Sequence, residues 1–247
     1  MFGLNQDFPL LLSSVLEHGA ANFGDVPVVS VSRDEHVRLD YRTVAARARG
    51  LASALRRLGL GPETMAGSLA WNSHRHLELF YGLTGLGAVL HTANPRLPPT
   101  QICYTINFTG YRTLFIDLDT IALAETLAPR LETVRRYVLM APRDAMPATN
   151  LPDVISYEDL IDSGDPDFIW PQLDERMACL LCFTSGTTGE PKGALYNTAV
   201  PSYRRCPLDR ATAGVYQPTM PSSRSQDSST ATVGPCRFSA RCMAPNW

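Results

Sequence analysis

Lysine is almost absent from this 247-residue sequence, which also lacks a large net charge and long apolar runs. Lys192 is the one lysine, against 21 arginines. The formal net charge is only −2, so the composition gives no bulk attraction to nucleic acid or to anionic lipid. No apolar run reaches the roughly 18 residues that a membrane span needs. These absences predict a soluble, cytoplasmic protein with neither a nucleic-acid partner nor a membrane span.

The sequence also lacks a basic segment before its first apolar stretch. That stretch runs from Phe8 to Leu16, follows Asp7 and is interrupted by Pro9 and two serines. A secretory signal peptide would need a positively charged start and an unbroken apolar core. The segment therefore favours an amphipathic helix.

Metal-binding spacing of cysteine and histidine is missing as well. The sequence has six cysteines, of which Cys179 and Cys182 form a C-x-x-C. A zinc site would need a second such pair or histidines at ligand spacing, and a redox pair would open a helix. Because this pair lies within the apolar run Met177–Phe183, we interpret both cysteines as buried strand residues.

What is present over most of the chain is an alternation of short apolar strands with helices of about ten residues. Such alternation predicts a parallel β-sheet with crossover helices, an α/β fold. Leu51, Leu55 and Leu58 recur on one helical face, and Gly59 to Pro62 ends that helix. The predicted strands are 27–31, 65–70, 88–91, 113–116, 137–140 and 177–183, and the predicted helices are 8–21, 39–58, 76–86, 99–110 and 121–131.

Composition changes near residue 198. The last 50 residues, 198–247, contain six prolines and seven serines but only five Leu, Ile, Val or Phe residues. They carry six arginines against two aspartates, hence +4, which leaves −6 on the rest of the chain. A segment so poor in large apolar residues cannot offset the entropy of ordering its backbone. We expect residues 198–247 to form a disordered tail; a basic tail that binds an acidic partner is the alternative.

The segment with the clearest chemistry is Phe183-Thr-Ser-Gly-Thr-Thr-Gly-Glu-Pro-Lys-Gly193, which directly follows an apolar strand. Its glycines let backbone N–H groups approach phosphate oxygens, and its hydroxyls can donate hydrogen bonds to them. Lys192 adds a mobile positive charge. The spacing fits neither a Walker A loop nor a dinucleotide fingerprint. A polyphosphate cradle is favoured over a surface turn without a ligand.

The motif Thr184-Ser-Gly-Thr-Thr-Gly-Glu-Pro-Lys-Gly193 resembles the phosphate-binding signature of the adenylate-forming (AMP-binding) superfamily. The segments 71–81 and 87–97 are similar to early motifs of medium- and long-chain fatty-acyl-CoA synthetases. The resemblance covers residues 1–197 and implies an incomplete N-terminal domain of stacked αβ layers. It also implies phosphate-site residues, namely Thr184, Ser185, Gly186, Thr187, Thr188, Gly189 and Lys192.

The resemblance further implies a two-step ligase reaction on a small carboxylic acid. The carboxylate attacks ATP to give an acyl-adenylate and pyrophosphate, and the thiolate of coenzyme A then displaces AMP. Mg²⁺ would help to neutralise the triphosphate. ATP, Mg²⁺ and coenzyme A are therefore the cofactors expected from the family. Neither the identity of the acid nor the oligomeric state can be read from the sequence.

The later motifs of the superfamily are not found in 198–247. The resemblance leads us to expect an adenine-binding loop, a ribose-binding aspartate and a lysine-bearing C-terminal domain after Tyr196. One hypothesis is that the tail is an out-of-frame translation, which the other reading frames of the same DNA would test. The chain could be an active ligase, an inactive remnant with weak ATP or pyrophosphate binding, or a module that pairs with a separate chain. We favour the remnant for the chain acting alone.

Histidines offer weaker candidates for ligands or bases. His74 and His76 are two residues apart and do not share a helical face. His91 stands where a strand should end, so it could approach a cleft. Structural or surface roles are favoured for all three.

Overall fold

The computed structural model of the protein describes residues 8–32, 35–184 and 191–199. In these ranges the helices are α1 Leu12–Asn22, α2 Tyr41–Arg57, α3 His74–Gly85, α4 Pro99–Thr109, α5 Ile121–Leu127 and α6 Tyr157–Asp162. The strands are β1 Pro27–Val31, β2 His36–Asp40, β3 Met65–Leu69, β4 Val89–Thr92, β5 Thr113–Asp117, β6 Arg136–Met140, β7 Val154–Ser156, β8 Ala178–Thr184 and β9 Lys192–Asn197. Residues 198–247 were predicted to be a disordered tail, and from 200 onward they lie outside the described ranges.

Seven strands form the main sheet in the order β7-β6-β5-β3-β4-β8-β9. Every neighbouring pair from β7 to β8 is parallel, and β9 alone runs antiparallel to its neighbour β8. The part β7-β6-β5-β3-β4 has the flavodoxin-like order of doubly wound folds, with its switch point between β3 and β5. The predicted α/β class with a parallel sheet is confirmed.

Two apolar clusters cover the two faces of this sheet. One is built on α1, α2, α3 and α6 and includes Leu51, Leu55 and Tyr81, each with no exposed surface. The other is built on α4 and α5 and includes Ile102 and Leu127. The face of α2 predicted from its leucine spacing is therefore the face that enters the core.

Short polar side chains fix where two of these helices begin. Asp40 accepts a hydrogen bond from the Thr43 N–H at 2.7 Å, and Ser73 accepts one from the His76 N–H at 3.2 Å. Each is an N-cap, which satisfies a backbone donor that has no partner within its helix. The helix predicted from residue 39 accordingly starts at Tyr41. Residues 36–40 instead form β2, which pairs antiparallel with β1.

A buried ion-pair network joins α2, α3 and α6. Arg47 Nε donates to Glu78 Oε1 at 2.7 Å, and its Nη2 donates to Glu158 at 3.0 Å. Arg75 bonds the other oxygen of Glu158 at 2.7 Å. The Tyr157 hydroxyl donates to Glu78 at 3.0 Å. Since Glu78 has no exposed surface, these donors replace the water that its carboxylate would otherwise require.

Among the residues that the structure describes, no helix is both long and apolar enough to cross a membrane. The first helix begins at Leu12, four residues later than the predicted start at Phe8.

Candidate functional site

The phosphate-loop motif joins two strands of a β-hairpin. Strand β8 enters it at Thr184, and β9 leaves it at Lys192, directly opposite in the antiparallel register. The Thr184 hydroxyl lies 3.4 Å from the Lys192 carbonyl oxygen, a long hydrogen bond across the hairpin. Side chains that face each other in an antiparallel pair lie on one side of the sheet. The hairpin therefore places Thr184 and Lys192 side by side at the base of the loop.

The position of this hairpin in the sheet is that of a ligand site. Because β8 runs parallel to β4, Thr184 at its end and Lys192 opposite lie at the end of the sheet where the other parallel strands have their carboxyl ends. Ligands of open α/β sheets bind outside this edge. Both Thr184 and Lys192 are exposed there. Both side chains are therefore accessible to a phosphate.

Five of the seven predicted phosphate-site residues fall outside the described ranges: Ser185, Gly186, Thr187, Thr188 and Gly189. Their assignment stays a prediction. What the structure contributes is the pairing of the two end residues, Thr184 and Lys192, which sequence spacing alone did not reveal.

An aromatic stack supports the strand that enters the loop. The ring of Phe183 packs edge-on against His91, with centroids 5.1 Å apart. His91 Nδ1 in turn lies 3.2 Å from the hydroxyl of Tyr111. Burial lowers the pKa of His91 to about 4, so its imidazole is neutral at pH 7. A neutral histidine fixed in this way holds Phe183, and with it the start of the loop.

The other two histidine candidates are also buried. His76 Nε2 lies 3.0 Å from the Ser68 hydroxyl on β3, and burial lowers the pKa of His76 to about 4. His74 is 4% exposed, and burial likewise lowers its pKa to about 4, with the nearby Arg75 charge adding to the effect. The structural role favoured from the sequence thus agrees with the packing of all three histidines.

The paired cysteines lie on β8, as the sequence predicted. Cys179 is buried, as expected, whereas Cys182 is only half-buried. Burial raises the pKa of the Cys179 thiol to about 12, which keeps it protonated and unreactive at neutral pH.

A pocket of about 410 Å³ opens at the switch point between β3 and β5. Trp71, in the loop after β3, and Asp117, the last residue of β5, both line it. The Trp71 N–H donates to Asp117 Oδ2 at 2.5 Å, which ties the two loops together. The Arg96 guanidinium lies over the indole at 5.1 Å, a cation–π contact.

Sequence reasoning did not single out Asp117. Burial raises the pKa of this carboxyl to about 7, against the hydrogen bond from the Trp71 N–H, which lowers it. A carboxyl that titrates near neutrality in a pocket is a candidate functional group. Its position in the sequence could have indicated it, because Asp117 is an acidic residue at the end of a central parallel strand, and ligands bind at the carboxyl ends of such strands.

A family model described as AMP-binding enzyme matches residues 16–224. The chain belongs to the AMP-binding enzyme family. This AMP-binding chain is 45% identical over 198 residues to a 3-methylmercaptopropionyl-CoA ligase of Ruegeria lacuscaerulensis, an alignment that covers 80% of this chain and 37% of the relative. It is 42% identical over 198 residues to a medium-chain-fatty-acid–CoA ligase of Ectopseudomonas oleovorans, covering 80% and 36%.

Solved structures agree with the fold of the AMP-binding chain. A long-chain-fatty-acid-CoA ligase from Archaeoglobus fulgidus superposes with a TM-score of 0.70 at 18% identity, over 88% of this chain and 42% of that one. An anthranilate CoA ligase in complex with anthranoyl-AMP gives a TM-score of 0.65 at 23% identity, over 78% and 36%. These likenesses confirm the N-terminal fold of adenylate-forming enzymes. The AMP-binding chain spans little more than a third of the length of the relatives that it matches.

Proposed function

We propose that this chain is the nucleotide-binding part of an AMP-forming acid–CoA ligase that activates a fatty or related carboxylic acid. The observation that supports it most directly is the Thr184–Lys192 pair, which flanks the family's phosphate motif at the ligand edge of the sheet. The names of the relatives, a 3-methylmercaptopropionyl-CoA ligase and a medium-chain-fatty-acid–CoA ligase, support this class of substrate.

In the proposed first step, an oxygen of the acid's carboxylate attacks the α-phosphorus of ATP. A bond from carboxylate oxygen to phosphorus forms, and the bond to the β-phosphate oxygen breaks, so pyrophosphate leaves with the negative charge. Donors fixed at those oxygens stabilise the transition state more than the ground state. We assign this role to the hydroxyls and backbone N–H groups of 184–189 and to the Lys192 ammonium.

In the second step, the thiolate of coenzyme A attacks the acyl carbon and AMP departs. An exposed hydroxyl and an exposed ammonium at the loop base suit polyphosphate oxygens, so the donor set fits ATP. Mg²⁺ would offset the triphosphate charge when bound. We assign no residue of this chain to the metal or to coenzyme A.

A second candidate is a catalytically inactive remnant that binds ATP or pyrophosphate weakly. The region matched to the 3-methylmercaptopropionyl-CoA ligase is 37% of that relative's chain. We extend the proposal to domain organisation, with 1–197 as the AMP-binding part and 198–247 as a tail; the family match itself runs on to residue 224.

The test combines two assays on the full 247-residue chain. ATP–pyrophosphate exchange with a panel of fatty and methylthio acids measures adenylation, and calorimetric titration with ATP and with pyrophosphate measures binding. Exchange above background supports the ligase. Binding without exchange supports the remnant. Absence of both overturns the nucleotide-site assignment.

A further inference from the structure

We propose that the outer edge of β7, together with the cavity beside it, is a docking site for an extended polypeptide segment that carries apolar side chains and a cationic residue. This surface, the β7 groove, consists of strand β7 and of the side chains Arg143, Met146, Asp159 and Leu160. It lies at the edge of the sheet opposite to β9. The inference goes beyond the proposed function and does not depend on it.

Strand β7 has backbone groups that face away from the sheet. Within the described ranges it pairs with β6 alone, and the Tyr137 N–H donates to the Asp153 carbonyl at 3.1 Å. Because backbone groups alternate in direction along a strand, those of Ile155 also face β6, and those of Val154 and Ser156 face outward. The N–H and carbonyl of Val154 bond to no other residue in the described part of the chain. An added strand would satisfy them.

A cavity of about 490 Å³ adjoins this edge, and all three residues of β7 line it. Two of its lining residues, Met146 and Val154, pack against the core cluster on the α4 side of the sheet. Two others, Ile155 and Leu160, lie in or against the cluster on the α2 side. The cavity therefore opens at the edge where both layers end, and a strand added there would direct alternate side chains toward either layer.

The edge is short, so backbone pairing alone would bind a partner weakly. Strand β7 has three residues, and the outward groups come from Val154 and Ser156. Short edge strands are one way in which proteins prevent uncontrolled pairing. In complexes formed by strand addition, main-chain bonds give affinity and side-chain pockets give specificity. The cavity must therefore supply most of the contact, and its apolar lining fits an apolar side chain of the partner.

Charged residues beside the β7 groove indicate the charge of the partner. The Arg143 guanidinium pairs with the carboxylates of both Asp159 and Asp162, the latter at 2.8 Å. One cation against two carboxylates leaves negative charge in excess, and all three side chains are more than half exposed. A cationic residue of the partner would offset this excess, whereas the phosphates of a nucleic acid or an anionic lipid would be repelled. The charge therefore favours a polypeptide with a basic residue.

The experiment uses the full chain and a fluorescein-labelled peptide of alternating valine and threonine with an arginine at each end. Fluorescence anisotropy should show saturable binding. The same peptide, N-methylated at its three central residues, keeps its side chains but loses those backbone donors, and should bind about tenfold more weakly. A version that ends in glutamate should also bind more weakly. Equal affinities for the parent and the N-methylated peptide, or no binding of the parent, would overturn the proposal.

A pair of charge variants tests the position of the site. Asp162→Lys reverses a charge beside the β7 groove and should weaken binding of the arginine-ended peptide roughly fivefold. Lysine suits the last turn of α6, so this variant should fold. Asp167→Lys is the matched control, because it makes the same change at an exposed residue outside the groove and should bind as the wild type does. Equal losses in the two variants would contradict the site.

A second measurement locates the peptide without any variant. Hydrogen–deuterium exchange followed by NMR should show slower exchange of the outward amides, Val154 and Ser156, when the parent peptide is bound, and no change at Ile155. Slowing of all three alike, or slowing along β9 instead, would overturn the proposal. So would a homodimer of the chain alone that the peptide dissociates, since a second copy would then be the occupant. ATP binding tests the proposed function separately and does not depend on this site.

Discussion

Gly67 on β3 leaves the space that the ring of Tyr111 fills. A Cβ atom at position 67 would lie 2.1 Å from both Cζ and the hydroxyl oxygen of Tyr111. Tyr111 is 3% exposed, and its hydroxyl lies beside His91, so the ring cannot swing aside without breaking that contact. The absence of a side chain at Gly67 thus allows the aromatic stack that supports the strand entering the predicted phosphate loop.

Gly67→Ala should therefore destabilise the protein by about 1–3 kcal/mol, the usual cost of overpacking a core. Urea denaturation followed by circular dichroism measures it. Gly61→Ala is the control, because nothing lies within 4 Å of a Cβ atom there, and its effect should stay within about 0.5 kcal/mol. Equal losses in the two variants would contradict the packing argument.

Lys192→Ala should weaken the binding of ATP and of pyrophosphate by about tenfold or more, since a charge-assisted hydrogen bond contributes roughly 1.5–3 kcal/mol. Lys192 is exposed, so the variant should fold normally. Isothermal titration calorimetry gives the affinity. Arg38→Ala, which removes an exposed cation on β2, controls for net charge and should bind as the wild type does. Unchanged affinity in Lys192→Ala would remove this residue from the site.

His91→Gln should make the protein less sensitive to acid. The folded-state pKa of His91 is about 4 and its ordinary value is 6.5, so between these values the unfolded chain takes up a proton that the folded chain excludes. This histidine therefore lowers the free energy of unfolding as pH falls through that window, by about 1.4 kcal/mol per pH unit. Glutamine cannot titrate but can still bond Tyr111.

Denaturant titrations at pH 6.5, 5.5 and 4.5 measure this effect as the difference in slope between variant and wild type. A His91→Gln slope equal to that of the wild type would show that His91 takes up its proton equally in both states.

Arg47→Met should cost about 3–5 kcal/mol of stability, because it leaves the fully buried Glu78 carboxylate without its cationic partner. Adding Glu78→Gln to it should recover part of the loss. Arg42→Met removes an exposed ion pair with Asp25 and should cost at most about 1 kcal/mol. Thermal unfolding of the four proteins checks the series, and a loss in Arg42→Met as large as that in Arg47→Met would contradict it.

The sequence predicted the elements whose local signals agreed with their packing. The leucine spacing of α2 and the glycine that follows α4 are examples; Gly110 adopts a φ of 71°, which glycine takes without strain. Strand β2 was missed because its pairing with β1 is the interaction that makes it a strand, and residues 39 and 40 could equally open a helix. Strand β7 and helix α6 were also missed, since each is short. Strand β9 was missed for the same reason as β2, because its antiparallel pairing with β8 is the interaction that makes it a strand.

Part of the candidate site could likewise be predicted from the sequence, and part of it could not. The order of residue types in 184–193 was enough to predict a phosphate loop, because backbone freedom, hydroxyls and a cation suit that ligand whatever surrounds them. The opposition of Thr184 and Lys192 depends on hairpin register, and the raised pKa of Asp117 depends on burial. Both arise from contacts between separate segments, which spacing along the chain does not encode.

The antiparallel direction of β9 has a consequence for labelling. Because β9 returns along β8, the Thr198 N–H donates to the Met177 carbonyl at 3.2 Å, beside the start of β8. At about 3.4 Å per residue, the six residue steps from Lys192 to Thr198 separate these two residues by about 20 Å. A fluorophore placed at residue 199 would thus lie at the opposite end of β9 from the proposed nucleotide site, near enough for energy transfer and too far to obstruct binding.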